Sequence, residues 1–265
     1  MISDYFNKDW EKVSEKIQLF IKDQVLKKFK KRGVVIGVSG GIDSALTSTL
    51  CAQTGKKVLL LNMPIRQKSD EYERSKKHIA DLESKFSHVK GLEIDLGQVF
   101  KQLEQTLPTE AVSNGLSMAN TRSRLRMLTL YAIGQANNLL VAGTGNKIED
   151  FGVGFYTKYG DGGVDLSPIA DLMKSEVFAL AEHLGVISEI LNALPTDGLW
   201  DDARNDEDQI GATYDELEWA MTYDGDLSTL NKREIEVLDI YKKFHNANKH
   251  KMIPIPVCKI PKELK

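Results

Sequence analysis

The most informative part of the chain is the sequence Gly37-Val38-Ser39-Gly40-Gly41-Ile42-Asp43-Ser44. It follows an apolar run at 34–36 and precedes a helix-like run at 45–53, an order that predicts a buried strand, a turn and a helix. Glycines allow the turn to be sharp, and a helix start offers free N–H groups at the positive end of its dipole. The turn is therefore suited to bind a phosphate or pyrophosphate group.

Two common phosphate-binding motifs are excluded at this turn. It contains no Gly-Lys-Ser/Thr, as a Walker A loop would, and no Gly-x-Gly-x-x-Gly, as a dinucleotide fingerprint would. Instead, Asp43 lies inside it, and a carboxylate repels a neighbouring phosphate unless a metal ion bridges them, which predicts Mg²⁺. The simpler alternative is an ordinary tight turn, but the serines, the paired glycines and the aspartate together favour a phosphate site.

Strands and helices alternate along the rest of the chain. Their periodicity predicts helices at 9–31, 69–87, 117–137 and 230–248, and strands at 58–62, 92–96 and 139–143. This order predicts an α/β fold with a doubly wound, mostly parallel sheet and helices on both faces. Ligands of such sheets bind beyond the carboxyl ends of the strands, so the turn at 37–44 and the glycines at 143–145 are expected to lie together. With no repeat or linker visible, residues 1–265 are expected to form a single domain.

Two long segments look like functional loops. Residues 150–168 combine many glycines with tyrosines, lysines and aspartates, which is typical of a binding loop, and residues 195–208 form a second, acidic loop. We expect both loops to be mobile until ligands bind.

The composition excludes several classes of protein. The 265 residues include 35 Lys and Arg against 38 Asp and Glu, and this net charge of −3 argues against non-specific nucleic-acid binding. Cys51 and Cys258 form no Cys-x-x-Cys pair, so a zinc ribbon or dithiol redox centre is not expected. No apolar run reaches the ~18 residues of a membrane span, and no signal peptide is visible. We expect a cytoplasmic protein without membrane or nucleic-acid partners.

The turn at 37–44 resembles the loop of the ATP pyrophosphatase, or PP-loop, superfamily, whose members cleave ATP to AMP and pyrophosphate. Three further runs, at 120–127, 143–149 and 155–163, look like the NAD synthetase family. So do Asp165 to Ile169 with Lys174, Pro195-Thr196, Asp206-Glu207 with Gly211 and Tyr214, and His250-Lys251. The similarity covers roughly residues 30–255. Two departures from common family forms are an extra residue between Glu149 and Lys158 and the sequence Pro-Thr-Asp-Gly-Leu at 195–199.

This resemblance implies an adenine nucleotide α-hydrolase-like fold and an AMP-forming amide ligase. In the implied reaction, the nicotinate carboxylate of deamido-NAD attacks the α-phosphorus of ATP, and ammonia then attacks the acyl-adenylate to give NAD and AMP. Glutamine-using relatives carry a nitrilase-like domain before the turn. Because the turn begins at residue 37 here, we expect no glutaminase domain and the use of free ammonia, or of ammonia supplied by another chain. Members of this type are homodimers with deamido-NAD near the interface.

Site residues follow from the same resemblance. The residues implied to bind ATP are Gly37, Val38, Ser39, Gly40, Gly41, Ile42, Asp43, Ser44, Thr144, Lys174 and Thr196. Asp43 and Glu149 are implied to bind Mg²⁺. The predicted catalytic set is Asp43, Lys174 and Asp161, of which Asp161 is a candidate to hold or deprotonate ammonium. The residues implied to bind deamido-NAD are Arg124, Lys158, Asp165, His250 and Lys251. Helical spacing alone cannot choose among the arginines, since Arg122 and Arg126 share one face and Arg124 points nearly the opposite way.

Three other functions stay open at this point. The first is the same chemistry on nicotinate mononucleotide, which lacks the AMP half. The second is tRNA modification, which the net charge and the lone cysteines disfavour. The third is a nucleotide-binding regulator without catalysis, which would explain residues 37–44 but neither Glu149 nor the loop at 150–168.

Overall fold

A four-stranded sheet forms the centre of the protein. The structure, a computed structural model, describes residues 8–67, 69–196 and 205–265. The strands are β1 (Gly33–Gly37), β2 (Lys57–Asn62), β3 (Val89–Glu93) and β4 (Leu139–Val141). They lie in the order β3-β2-β1-β4, and every pairing is parallel. The chain runs outward from β1 to β3 and then returns to β4 on the other side of β1, which makes the carboxyl ends of β1 and β4 the switch point where such sheets bind ligands.

Helices connect and cover the strands. Within the described residues, the α-helices are α1 (Trp10–Lys22), α2 (Ile42–Gln53), α3 (Ser69–Lys85), α4 (Gly97–Thr106), α5 (Thr109–Val112), α6 (Gly115–Asn137), α7 (Lys174–His183), α8 (Ser188–Leu191), α9 (Asp206–Ile210), α10 (Tyr214–Thr222) and α11 (Lys232–Met252). Two π-helical segments, Asp23–Lys28 and Ile148–Val153, continue α1 and follow β4 respectively. No helix in these described ranges is both long and apolar enough to cross a membrane.

Both faces of the sheet are buried. On one face, side chains of α2, α3 and α7 such as Leu46, Leu82 and Leu180 pack into a core with the strands. On the other face, Phe100 of α4 and Leu130 of α6 form a second core with alternate strand residues. This burial explains why β1 and β2 are continuous apolar runs, and the predicted doubly wound α/β fold is confirmed.

A third core lies beyond the carboxyl ends of the strands. The π-helical segment Ile148–Val153 packs there against α9, α10 and α11 through residues such as Val153, Leu217 and Val237. We call these four elements the helical cap. The first element of the cap is the π-helical segment, which is the next element after the switch-point strand β4. Glu149 is the second residue of this segment.

Several predicted boundaries were wrong. The third strand is at Val89–Glu93 rather than 92–96, because its pairing with β2 begins at Val89 opposite Val58. Ile94 and Leu96 follow the strand and pack in the second core, which produced the misleading apolar signal. The predicted helix at 9–31 ends at Lys28, and Lys30 has a left-handed φ of 52°.

The two predicted loops differ from expectation where they can be compared. Residues 150–153 belong to the π-helical segment, so the loop proper begins at Gly154. Of the acidic loop at 195–208, residues 206–208 start α9, while 197–204 lie outside the described residues.

Candidate functional site

The turn between β1 and α2 is fixed by its own serines. Ser44 Oγ accepts a hydrogen bond from the Ser39 N–H at 3.2 Å and donates to the Gly41 carbonyl at 2.9 Å. Ser39 Oγ accepts from the Gly41 N–H at 3.2 Å. Gly40 has a φ of +88°, and a Cβ there would lie 2.5 Å from the Glu71 carbonyl oxygen. The glycine is therefore required by both the backbone conformation and the close approach of α3.

Helix α3 and the residues before it hold the turn from outside. Ser75 Oγ donates to the Val38 carbonyl at 3.1 Å, and Arg74 Nε donates to the Gly40 carbonyl at 3.3 Å. Gln67 Nε2 donates to the Ser39 carbonyl at 3.2 Å. With three of its carbonyls bound in this way, the turn is pre-organised before any ligand arrives.

A buried lysine joins two carboxylates at the end of the turn. Lys174 Nζ lies 2.6 Å from Asp43 Oδ2 and 3.0 Å from Glu149 Oε1, and the lysine is only 3% exposed. Asn146 Nδ2 donates to Asp43 Oδ1 at 3.0 Å. We call Asp43, Glu149 and Lys174 the charged centre. Sequence reasoning weighed Lys174 against a surface lysine, and its burial excludes that alternative.

Tyr214 completes the charged centre from the helical cap. Its hydroxyl donates to Glu149 Oε1 at 2.7 Å and lies 3.2 Å from Asp206 Oδ2, and its ring centroid is 4.6 Å from Lys174 Nζ. The family resemblance included Tyr214 and Asp206, but it gave neither a role. The structure brings Tyr214 to Glu149, and Asp206 to the same Tyr214 hydroxyl.

Burial and charge act against each other in the charged centre. Burial raises the pKa of Glu149, and the Asp43 carboxylate adds to that effect, while Lys174 opposes it. Burial disfavours the ammonium of Lys174, but Asp43 and Glu149 outweigh burial, so the pKa of Lys174 is raised. Burial, followed by the charge of Glu149, also raises the pKa of Tyr214. The lysine is thus a fixed cation at the bottom of the site.

The start of α7 is built to hold Lys174 in place. Glu176 accepts the Met173 N–H at 2.7 Å, and Glu218 of α10 accepts both the N–H and the hydroxyl of Ser175, at 2.8 and 2.7 Å. A lysine in the first turn of a helix is unfavourable beside the positive dipole end. These carboxylates and the charged centre offset that cost.

A cleft at the switch point contains most of the predicted ATP site. Its lining includes Gly37, Val38, Ser39, Gly41, Ile42, Asp43, Ser44, Thr144, Lys174 and Thr196, together with Glu149 and Asp161. Gly40 is not part of the lining, since its α-carbon faces α3. Leu61, Met63, Met127 and Leu130 also line the cleft, and we call this apolar surface, which is suited to a flat ring, its apolar end.

Asp161 is held rigidly at the edge of this cleft. Its Oδ1 accepts hydrogen bonds from Ser123 Oγ at 2.6 Å and from the Thr157 N–H at 3.0 Å, and its own N–H donates to Ser123 Oγ at 2.9 Å. Thr157 Oγ1 in turn donates to Asn120 Oδ1 at 2.6 Å. Helix α6 therefore fixes the middle of the loop at 154–168 through short polar side chains.

The residues predicted to bind deamido-NAD lie outside the lining of the cleft, in two groups. Arg124 Nε donates to the Lys158 carbonyl at 3.2 Å, Lys158 Nζ donates to the His250 carbonyl at 3.0 Å, and Lys251 reaches the same loop. Asp165 is separate from this group, because its Oδ2 accepts the Val141 N–H at 2.8 Å and its Oδ1 accepts the Tyr131 hydroxyl at 3.1 Å.

Sequence reasoning missed Asp150. Its carboxylate lines the cleft and packs so closely on Gly145 that a Cβ there would lie 2.2 Å from Oδ1. Burial raises the pKa of Asp150 to about 8, with further contributions from Glu149, Asp161 and Asp43. No local pattern marks this residue, since only the fold brings those acids together. Arg126, which the resemblance did not select, also lines the cleft and donates from Nε to the Met63 carbonyl at 3.1 Å.

The charged centre supplies only two of the ligands that a magnesium ion needs. Across the described ranges, no group of three or more His, Cys, Asp or Glu side chains is placed to hold a metal ion. However, the carboxylates of Asp43 and Glu149 converge on one point, occupied by Lys174 Nζ. Mg²⁺ in phosphate-transfer sites typically uses one or two carboxylates and takes its other ligands from substrate phosphates and water. The donor set present is of that kind.

Known proteins are similar to this chain in both sequence and fold. The family model described as NAD synthase matches residues 13–253. The chain is 39% identical over 201 residues to the NH(3)-dependent NAD(+) synthetase of Mesoplasma florum, which covers 75% of this chain and 79% of the relative.

Solved structures agree with the sequence match. The NMN synthetase of Francisella tularensis superimposes with a TM-score of 0.83 at 29% identity, covering 97% of this chain and all (100%) of that one. The NH3-dependent NAD synthetase of Campylobacter jejuni, solved with a nitrate ion, gives a TM-score of 0.77 at 28% identity over 95% of this chain and 100% of its own. Because the family model spans residues 13–253 and these relatives match most of its length, the chain belongs to the NAD synthase family.

Proposed function

We propose that the protein forms NAD from deamido-NAD, ATP and ammonia, releasing AMP and pyrophosphate. The observation that carries this proposal is the charged centre at the end of the phosphate-binding turn, in a member of the NAD synthase family. Membership makes the protein an ATP-dependent ligase. The curated relatives bear the dinucleotide activity in their names, which supports deamido-NAD as the acid.

ATP is assigned to the cleft at the switch point. The turn at 37–44 and the first turn of α2 would bind the phosphates, with Thr144 and Thr196 as further contacts and Lys174 as the cation. The apolar end around Met63 and Leu130 would take the adenine ring. In this pose the α-phosphorus lies between the turn and the loop at 154–168.

Magnesium would be held by Asp43 and Glu149 together with the phosphates. When bound, it neutralises charge on the pyrophosphate and makes it a better leaving group. Lys174, which lies between the same carboxylates, would supply a positive charge beside the phosphates. Tyr214 and Asn146 would keep hydrogen bonds to Glu149 and Asp43 and so fix their orientation.

The chemistry has two steps. A nicotinate oxygen attacks the α-phosphorus, the α–β phosphoanhydride bond breaks, and pyrophosphate leaves with charge that Lys174 and backbone N–H groups stabilise. Ammonia then attacks the carbonyl carbon of the acyl-adenylate, and AMP leaves with its electron pair. Asp161, held by Ser123 and Thr157, is the group proposed to bind ammonium and accept its proton.

The acid would approach from the side where the residues predicted to bind deamido-NAD lie. Arg124, Lys158, His250 and Lys251 lie around the loop at 154–168, and Asp165 lies beyond Tyr131. We propose that they contact deamido-NAD in a homodimer, with the second subunit closing the acid site. The cytoplasm is the proposed location, in keeping with two free cysteine thiols.

One assay tests the function and the identity of the acid. Purified protein is given ATP, magnesium and ammonium with either deamido-NAD or nicotinate mononucleotide, and both the amide product and the nucleotide product are identified. We expect NAD and AMP in equal amounts and a higher kcat/KM for the dinucleotide. A higher value for the mononucleotide, the acid suggested by the Francisella neighbour's name, would change the substrate and leave the chemistry intact. ATP binding without pyrophosphate release would instead favour a regulator.

A further inference from the structure

Polar side chains on one face of α11 bind four backbone carbonyls between residues 152 and 156. His245 Nδ1 donates to the Gly152 carbonyl at 2.7 Å, and Asn248 Nδ2 donates to the Val153 carbonyl at 2.9 Å. Lys251 Nζ donates to the carbonyls of Gly154 and Tyr156, at 2.8 and 2.7 Å. We call His245, Asn248 and Lys251 the carbonyl clamp. The three residues are three apart in sequence, so they lie along the same side of the helix.

The carbonyls bound by the clamp need partners. The carbonyls of Gly152 and Val153 lie at the end of the π-helical segment Ile148–Val153, where the last carbonyls of a helix have no N–H partner within the helix, and those of Gly154 and Tyr156 follow it. Gly154 then turns the chain out with a left-handed φ of 66°. In the absence of the clamp these groups would have to find other donors, and the start of the following loop would be held only through its later contacts with α6.

Close packing accompanies the clamp. A Cβ on Gly154 would lie 2.4 Å from Asn248 Cβ and 2.7 Å from Met252 Cε. The backbone at Gly154 therefore packs directly against the side chains of Asn248 and Met252, and a larger residue at 154 would push α11 away. Lys251 is partly buried beside these carbonyls, and this burial lowers the pKa of its ammonium group.

The clamped segment carries groups of the proposed site at both ends. Glu149 of the charged centre lies in the π-helical segment before the clamp, and Tyr156, Lys158 and Asp161 lie in the loop after it. We infer that the carbonyl clamp is a positioning device, which sets the loop at 154–161 relative to the ATP cleft and so aligns the acid with the α-phosphorus. His245 and Asn248 are positioning residues that contact no substrate. The kinetic part of this inference depends on the proposed function.

The test uses two matched variants of His245, one variant of Asn248 and one control variant. His245→Leu removes the donor, whereas His245→Asn keeps an N–H donor near the place of Nδ1. Asn248→Leu tests the next member of the clamp, and Asn246→Ala, an exposed residue on the same helix, is the control. Amide hydrogen exchange of residues 154–161 is measured on all four variants without ligands, and KM for ATP, KM for the acid and kcat are measured separately.

We expect exchange at 154–161 to quicken about fivefold or more in His245→Leu and Asn248→Leu, as the loss of one hydrogen bond predicts, with α2 unchanged. The kcat/KM for the acid should fall about 10- to 100-fold because the reacting atoms are misplaced, while KM for ATP stays near its original value. His245→Asn should recover most of both effects.

Unchanged exchange and kinetics in both leucine variants would overturn the inference, as would equal losses in His245→Asn and His245→Leu. If His245→Leu fails to fold, Asn248→Leu and His245→Asn still decide the question. A wild-type protein without ligase activity would contradict the proposed function alone, because the exchange measurement does not depend on turnover.

Discussion

Lys174 is the residue whose environment depends most on the whole fold. It lies between two carboxylates, is closed over by the Tyr214 ring, and has almost no contact with water. A buried carboxylate that loses its cation is strongly unfavourable, so this lysine is needed for folding as well as for the proposed chemistry. In the bound state its charge would face phosphate instead, which exchanges one anionic partner for another.

Lys174→Met should lower the free energy of unfolding by about 3 kcal/mol, because it leaves Asp43 and Glu149 buried without their cation. Lys147→Met is the matched control, since Lys147 pairs with Asp171, whose side chain is 97% exposed. That control should change stability by no more than about 0.5 kcal/mol. Chemical denaturation of both variants checks the difference. Equal effects would show that the charged centre contributes no more than a surface pair.

Because His78 is buried, we expect the protein to lose stability in mild acid. It is 1% exposed beside Ser48 Oγ, and burial lowers its pKa to about 4, despite the opposing charge of Asp81. The unfolded chain takes up a proton near pH 6.5, whereas the native protein does not until about pH 4. The contribution of neutral His78 to the free energy of unfolding is therefore fully present above pH 6.5 and is lost as the pH falls toward 4.

Between pH 7 and pH 5 the loss from His78 should be about 2 kcal/mol. His78→Gln keeps a polar group but cannot titrate, so its unfolding free energy should fall less over the same range. Denaturation of wild type and variant at the two pH values measures this difference. A decline of the same size in both proteins would remove His78 as the cause.

At the scale of elements, the turn between β1 and α2 depends on Gly40. Gly40→Ala places a Cβ against the Glu71 carbonyl in a left-handed conformation, so both strain and collision are expected. Gly55→Ala is the control, because Gly55 has a φ of +71° but nothing within 4 Å of an added Cβ. The control should cost about 1–2 kcal/mol from strain alone. Gly40→Ala should cost more and should abolish ATP binding, as calorimetry can measure. Normal ATP affinity in Gly40→Ala would show that the turn does not bind the phosphates.

Elements with a strong local apolar pattern could be predicted from the sequence. Elements whose position depends on strand pairing or on packing against distant residues could not. β1 and β2 are buried on both faces, so their apolar runs were sufficient evidence. The edge strand β3 was misplaced because its position is set by pairing with β2, which a local pattern does not contain. The π-helical segment after β4 was missed for a similar reason, since Gly152 and the glycines that follow the segment suggested a loop, whereas its packing in the helical cap makes it helical.

The resemblance named residues that the fold brings together, but it could not give their geometry. The resemblance gave Asp43, Glu149 and Lys174, and the structure joins them although Asp43 and Lys174 are 131 positions apart in the sequence. It also gave Arg124, Lys158, His250 and Lys251, which lie together around one loop outside the cleft. Asp150 and the clamp residues His245 and Asn248 had no signal, because their partners are brought to them only by the fold.

At the scale of the whole molecule, the cleft lies where the three cores meet. The two faces of the sheet supply the turn and the apolar end, and the helical cap supplies Glu149 and Tyr214. A ligand that touches all three should therefore stabilise the native protein as a unit. ATP with magnesium at about 100 times its Kd should add about 2.7 kcal/mol to the unfolding free energy.

Asp43→Asn should lose most of that stabilisation, because it removes a proposed magnesium ligand while keeping a similar shape. Thermal melts of wild type and variant, with and without ATP and magnesium, measure the effect. An equal rise in Tm for both proteins would mean that ATP is bound away from the charged centre.

The most direct test of the central claim follows a single oxygen atom. Deamido-NAD labelled with ¹⁸O in its nicotinate carboxylate is converted with ATP, magnesium and ammonium, and the nucleotide product is analysed by mass spectrometry. If the carboxylate attacks the α-phosphorus in the cleft, AMP carries one labelled oxygen and NAD keeps the other. Unlabelled AMP, or ADP as the nucleotide product, would contradict adenylation of the acid at this site.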